Sequence, residues 1–103
     1  MSWRAALVLT LTLGACGRRV APPVTPADLT RAQARWADAD GAELDHGRDV
    51  LTARCAGCHL PPMPTDVPAT RWPAVLDEMA PEAGLTSPDR RALERYLLTL
   101  ATP

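Results

Sequence analysis

Residues 55–59 read Cys-Ala-Gly-Cys-His. Two thiols three positions apart, with an imidazole directly after the second, support three chemistries: a zinc site, a thiol–disulfide pair, or covalent attachment of a haem. A structural zinc needs four ligands in a tetrahedron. Cys55, Cys58 and His59 supply three, and the adjacent Cys58 and His59 are awkwardly placed for one tetrahedron. His46 is the other histidine of the chain. It could be a fourth ligand only if the helix carrying it bent back on itself. A redox-active Cys-x-x-Cys sits near a strand–helix pattern in an α/β fold. Haem attachment has Cys-x-x-Cys-His as its signature. Each cysteine there forms a thioether to a vinyl group, and the histidine is carried beneath the iron as an axial ligand.

The elements around the motif favour the third chemistry. Thr25-Pro26-Ala27-Asp28 predicts a helix start, with a capping hydroxyl, a proline at the first helical position and an acid completing the box. Leu29, Ala32 and Trp36 follow at helical spacing, and Asp38-Ala39-Asp40-Gly41 breaks the pattern. A second helix is expected from about Ala42 to Arg54, with Leu44, Gly47, Val50, Leu51 and Arg54 on one side, running directly into Cys55. The stretch LPPMPTDVPAT has four prolines in eleven residues and reads as a loop. A third helix, capped by Thr70 and running from Arg71 to about Ala80, places Trp72, Val75, Leu76 and Met79 on one apolar face. Residues 81–86 read as a connection. Ser87-Pro88-Asp89 opens a last helix whose stripe is Leu93, Tyr96, Leu97 and Leu100. No alternating run suggests a strand, so the expectation is an all-α domain of about four helices, with no strand–helix junction for a redox pair.

The chain has 103 residues, three Trp, one Tyr and no Phe. A domain this short buries little surface, and a bound apolar cofactor would add to a thin core. All 11 basic residues are Arg, and the net charge is −1. The absence of a basic patch or tail argues against nucleic-acid binding.

The start, MSWRAALVLTLTLGAC, has one arginine before a short apolar run. That run is too short for a bilayer span, which needs about 20 residues, and fits a signal peptide over residues 1–15. Leu13-Gly14-Ala15-Cys16 resembles the lipobox of bacterial lipoproteins, which implies cleavage before Cys16 and acylation of its sulfur. The mature chain would then carry 10 Arg against 12 Asp and Glu. Multiple acyl chains give stable anchoring. Residues 16–26, lipidated cysteine and proline-rich stretch, read as a semi-rigid tether. The domain is assigned to residues 27–103, with a core at 42–101.

Cys55-Ala56-Gly57-Cys58-His59, preceded by the helical stretch Gly47-Arg48-Asp49-Val50-Leu51, resembles the class I c-type cytochromes, small monohaem proteins whose helices wrap one covalent haem. The resemblance spans roughly residues 42–101. It implies a close crossing between the helix before the motif and the last helix, with a small residue on the first and an aromatic on the last. Gly47 and Tyr96 match those roles. It implies haem c held by Cys55 and Cys58, with His59 as proximal iron ligand and a downstream methionine as the sixth.

Met79, 20 positions after His59, is the expected sixth ligand, and Met63 the alternative, with His46 or an open site as the remaining choices. Arg71 and the Trp72 indole N–H are candidate partners for the haem propionates, and the Pro61 or Pro62 carbonyl for the His59 Nδ1–H. His46 otherwise reads as an exposed helical residue. The function implied is non-enzymatic: a single-electron carrier on the periplasmic side, anchored by its lipid with the outer membrane weakly favoured, serving redox protein partners. The rival functions are a haem-based ligand-binding or sensing module and a fixed haem subunit of a larger oxidoreductase.

Overall fold

Local chemistry at helix starts organises the chain. A computed structural model describes residues 20–55 and 62–102. Helix α1 spans Pro26–Arg35 and carries the expected capping box: Thr25 Oγ1 accepts from the Asp28 N–H, and Asp28 accepts from the Thr25 N–H at 2.8 Å. Helix α2 spans Gly41–Arg54 and is capped by Asp40, which accepts from the Glu43 N–H at 2.7 Å. Helix α3 spans Trp72–Ala83 and helix α4 spans Ser87–Ala101. Among the described residues there is no strand, so the all-α expectation holds at that level.

Four local expectations need correction. The proline-rich stretch is not a featureless loop, because Pro64–Asp66 and Ala69–Arg71 are short 3₁₀ turns. Thr70 lies inside the second of these and caps nothing; Arg71 occupies the cap position of α3 without a side-chain bond. Helix α3 does not stop at Ala80. It continues through Pro81 to Ala83, and Gly84, at φ 66°, closes it in the left-handed conformation that glycine adopts without steric cost. The Gly84 and Leu85 N–H groups cap the Pro81 and Ala80 carbonyls. Pro81 is tolerated because it stands in the last turn, where only one intrahelical bond is forfeited. Finally, α4 is capped by Thr86 rather than Ser87, with Thr86 Oγ1 accepting from the Asp89 N–H at 3.2 Å.

Helix α4 is the centre of the packing and meets each of the other three helices. It buries Ala92, Leu93, Tyr96, Leu97, Leu98 and Thr99, a wider face than the expected stripe, while Leu100 is half-buried. Its largest interface is with α2, which buries Leu44, Gly47, Val50 and Leu51 and leaves Arg54 exposed. Each large apolar side chain so buried contributes roughly 1.5–3 kcal/mol. A smaller cluster, Ala32, Ala39 and Leu44, holds α1 in place. Arg95 ties the α1–α2 connection to α4. Its guanidinium reaches Glu43 at 2.7 Å and Asp38 at 3.2 Å and lies over the Trp36 ring.

Gly47 sits where α2 and α4 cross. A Cβ there would meet the Ala92 carbonyl oxygen at 2.1 Å and Tyr96 Cβ at 2.8 Å. No side chain larger than hydrogen is accommodated unless the helices separate. The small-residue and aromatic crossing expected of Gly47 and Tyr96 is therefore present.

Candidate functional site

Helix α2 ends at Cys55, whose N–H still donates to Leu51 O at 3.3 Å. Cys55 is therefore positioned by the last turn of a buried helix, not by a free loop. Its side chain lines a narrow apolar cleft of about 10 Å³, walled by Leu51, Leu93 and Leu97 from α2 and α4 and by Trp72, Leu76 and Met79 from α3. The cleft thus forms where three helices converge, and it brings Cys55 and Met79 into one space although they are 24 positions apart. Its volume is room for about one water, so a larger ligand would enter only as these walls part.

The continuation of α3 through Pro81 matters here. Ala83 follows Met79 by one helical turn and joins the cleft wall, and Leu85 follows after the glycine cap. Neither was singled out from the sequence, because Pro81 reads as a stop. A helical period carried one turn past Met79 would have found Ala83. Pro62 lines the cleft as well.

Met63 belongs elsewhere. It precedes the first 3₁₀ turn, with its N–H donating to Asp66 Oδ2 at 2.8 Å, and it is not among the residues that line the cleft. His46 is exposed on α2 and sits 2.8 Å from Asp89 Oδ1, so it faces the start of α4 rather than the cleft. The hydrogen bonds from His46 and Thr86 hold the Asp89 carboxyl below its ordinary pKa.

Trp72 requires a correction. Its ring is fully buried and its indole N–H donates to the Pro64 carbonyl at 2.9 Å, so that donor is not available to a carboxylate ligand. The bond instead fixes the first 3₁₀ turn against α3 and braces one wall of the cleft. Arg71 is exposed at the start of α3. Asp77, on the outer face of α3, pairs with Arg90 at 2.5 Å, in keeping with a solvated face.

Cys55 is buried, and burial pushes its thiol above the usual cysteine range. Reactive cysteines of thiol–disulfide enzymes have lowered pKa values in electropositive settings. The environment of Cys55 is the opposite, which weighs against a redox-active thiol.

The remaining expected site residues, Cys58, His59 and Pro61, lie outside the described residues, as do residues 1–15, expected to be a signal segment, and Cys16. What the described part offers can be weighed against the group that the motif implies. A haem needs apolar walls for its ring, a thiol at its edge and a soft donor for its iron. Leu51, Trp72, Leu76, Leu93 and Leu97 supply the walls, Cys55 the thiol, and Met79 the thioether sulfur. The residues present fit the group in kind, and the room for its ring depends on these walls parting. Comparison with protein-family models, with curated proteins and with solved structures found no match.

Proposed function

We propose that this chain is a class I c-type cytochrome in lipoprotein form, a membrane-tethered carrier of single electrons between redox partners of the bacterial envelope. The observation that carries the proposal is the apolar cleft at the end of α2, lined by both Cys55 and Met79. The close crossing of Gly47 on Tyr96 and Ala92 supports it independently, because it engages the two positions that the resemblance singles out.

In this proposal Cys55 and Cys58 would hold haem c through thioethers, and His59 and Met79 would ligate its iron. When bound, the haem supplies one-electron exchange between ferrous and ferric iron. The protein's part is to exclude water and to hold still. The leucine walls keep the cleft at low dielectric, and Met79 offers a neutral sulfur that needs no proton change. Trp72, clasped by the Pro64 carbonyl, is one braced wall, and a braced wall keeps the rearrangement cost of electron transfer low. With His59 and Met79 both on the iron, no substrate would bind it, so the role would be transfer, not catalysis. Cys16, acylated, would tether the domain on the periplasmic side, and its neighbour Gly17 is not the Asp associated with inner-membrane retention.

The test is the ferric absorption spectrum, visible to near infrared, of protein made in a host with c-type haem maturation. A low-spin spectrum with the weak methionine-to-iron charge-transfer band is expected. Met79→Ala should abolish that band and Met63→Ala should leave it. A high-spin spectrum without the band would replace the carrier with a ligand-binding or sensing module. Protein without haem would overturn the proposal altogether.

A further inference from the structure

Residues 21–25, just before α1, do not swing free of the body. Ala21 is buried, and its carbonyl accepts from Arg48 Nε at 2.9 Å. The Pro22 carbonyl accepts from the Tyr96 hydroxyl at 2.6 Å. Val24 packs against both apolar clusters, and Thr25 then enters the capping box with Asp28, which Arg31 also contacts.

The composition of this strap explains the way it is held. Pro22 and Pro23 have no N–H, so the strap cannot dock by a strand ladder. Its carbonyls are what it can offer, and α2 and α4 answer with side-chain donors. Both donors come from the helix crossing: Arg48 adjoins Gly47, and Tyr96 packs on it. The prolines also restrict the undocked strap, which lowers the entropy lost on docking.

We infer that the strap is a distance clamp that sets how far the domain can stand from the membrane. This rests on acylation of Cys16, as proposed above, but not on the haem. With the strap docked, only five peptide units separate Cys16 from the body at Ala21, a reach of at most about 18 Å. A free tether running to Pro26 would reach at most about 36 Å. The clamp halves the reach and keeps the α2–α4 crossing, where the strap docks, near the lipid. Partners must then meet the body close to the same membrane surface.

Trypsin cleavage after Arg19 tests the clamp on the mature protein, carrying Arg18→Gln so that Arg19 is the one cut site there, purified from membranes and reconstituted in vesicles. The protease must draw residues on both sides of the bond into its cleft, so Ala21 and Pro22 must undock first. Tyr96→Phe and Arg48→Gln each remove one strap bond, worth about 1 kcal/mol, and each should speed this cut about fivefold by raising the population of the open strap. Cutting at Arg31 and Arg91, inside helices, should stay slow. Equal rates at Arg19 in all three proteins would overturn the inference. So would a parallel rise at Arg31 and Arg91, which would mark general unfolding. Cutting should also release the body from the vesicles; a body that never sediments with them overturns the membrane role through Cys16, whatever the rates at Arg19.

Discussion

Replacing Gly47 with alanine puts the helix crossing to its sharpest test. The added Cβ would stand 2.1 Å from the Ala92 carbonyl oxygen, roughly 1.2 Å short of the ~3.3 Å at which such atoms settle. The neighbour is backbone on a buried helix, so it cannot turn aside as a flexible side chain would. Overpacking of this kind costs about 3 kcal/mol, the upper part of its usual range. Alanine returns about 1 kcal/mol through its better helix propensity. The net loss is about 2 kcal/mol, which corresponds to a fall in Tm of roughly 8–16 °C for a domain of this size. The assay is thermal unfolding followed by far-UV circular dichroism, beside Gly41→Ala. Gly41 also lies in α2, but a Cβ there meets nothing within 4 Å, so that variant should match or slightly exceed the wild type. If Gly47→Ala proves as stable as Gly41→Ala, the close approach of α2 to Ala92 and Tyr96 is wrong. The placing of Leu51, Leu93 and Leu97 in one cleft wall would fall with it.

Other expectations follow from the same packing. Trp72→Phe keeps a ring in the wall but deprives the buried Pro64 carbonyl of its donor, and urea unfolding should show a loss of about 1–3 kcal/mol with an unchanged m-value. Burial raises the pKa of Asp28, but its hydrogen bonds from Thr25 and its contact with Arg31 outweigh this and hold the carboxyl below 3.8. A folded-state pKa depressed in this way adds stability above the unfolded value, and the addition is lost as pH falls through the folded one. Asp28→Asn should therefore cost about 1 kcal/mol in urea unfolding at pH 7, and the gap from wild type should shrink as the pH drops below 3.8. Tyr96, the single tyrosine, is pushed up to about 12 by burial, partly opposed by Arg48. Its stabilising effect is fully present below pH 10 and is lost as pH rises toward 12, so tyrosinate absorbance appearing near pH 10 in the folded protein would contradict the buried Tyr96–Pro22 contact.

Where short-range chemistry governs, the sequence was readable. Thr25, Pro26 and Asp28 act within one turn of each other, and their pattern located the start of α1. The spacing of Leu44, Gly47, Val50 and Leu51 marked the buried side of α2, because a helix repeats its faces whatever lies opposite. The errors arose where two local options compete and the surroundings choose. Thr86 and Ser87 are both able caps, and one position decides between them. Pro81 reads as a terminator, yet α3 carries on because the buried Ala80 and the glycine cap outweigh one missing bond. Residues 21–25 read as free tether since no local signal announces donors located 27 and 74 positions further along. The indole of Trp72 was similarly spoken for by a carbonyl that spacing does not reveal.

The sequence by itself determined the helical class of the described residues and the chemistry available at Cys55, Cys58 and His59, since those depend on side-chain type and on intervals of a few residues. It also nominated Met79, though without a reason to prefer it that went beyond distance along the chain. Tertiary structure alone decided that Cys55 and Met79 share a cleft, that Met63 and His46 do not, and that the segment before α1 is strapped down. Those outcomes depend on how closely two helices approach at Gly47 and on which carbonyls a distant arginine and tyrosine reach. Such distances are settled by the packing of all the helices together, and no short stretch of sequence contains them.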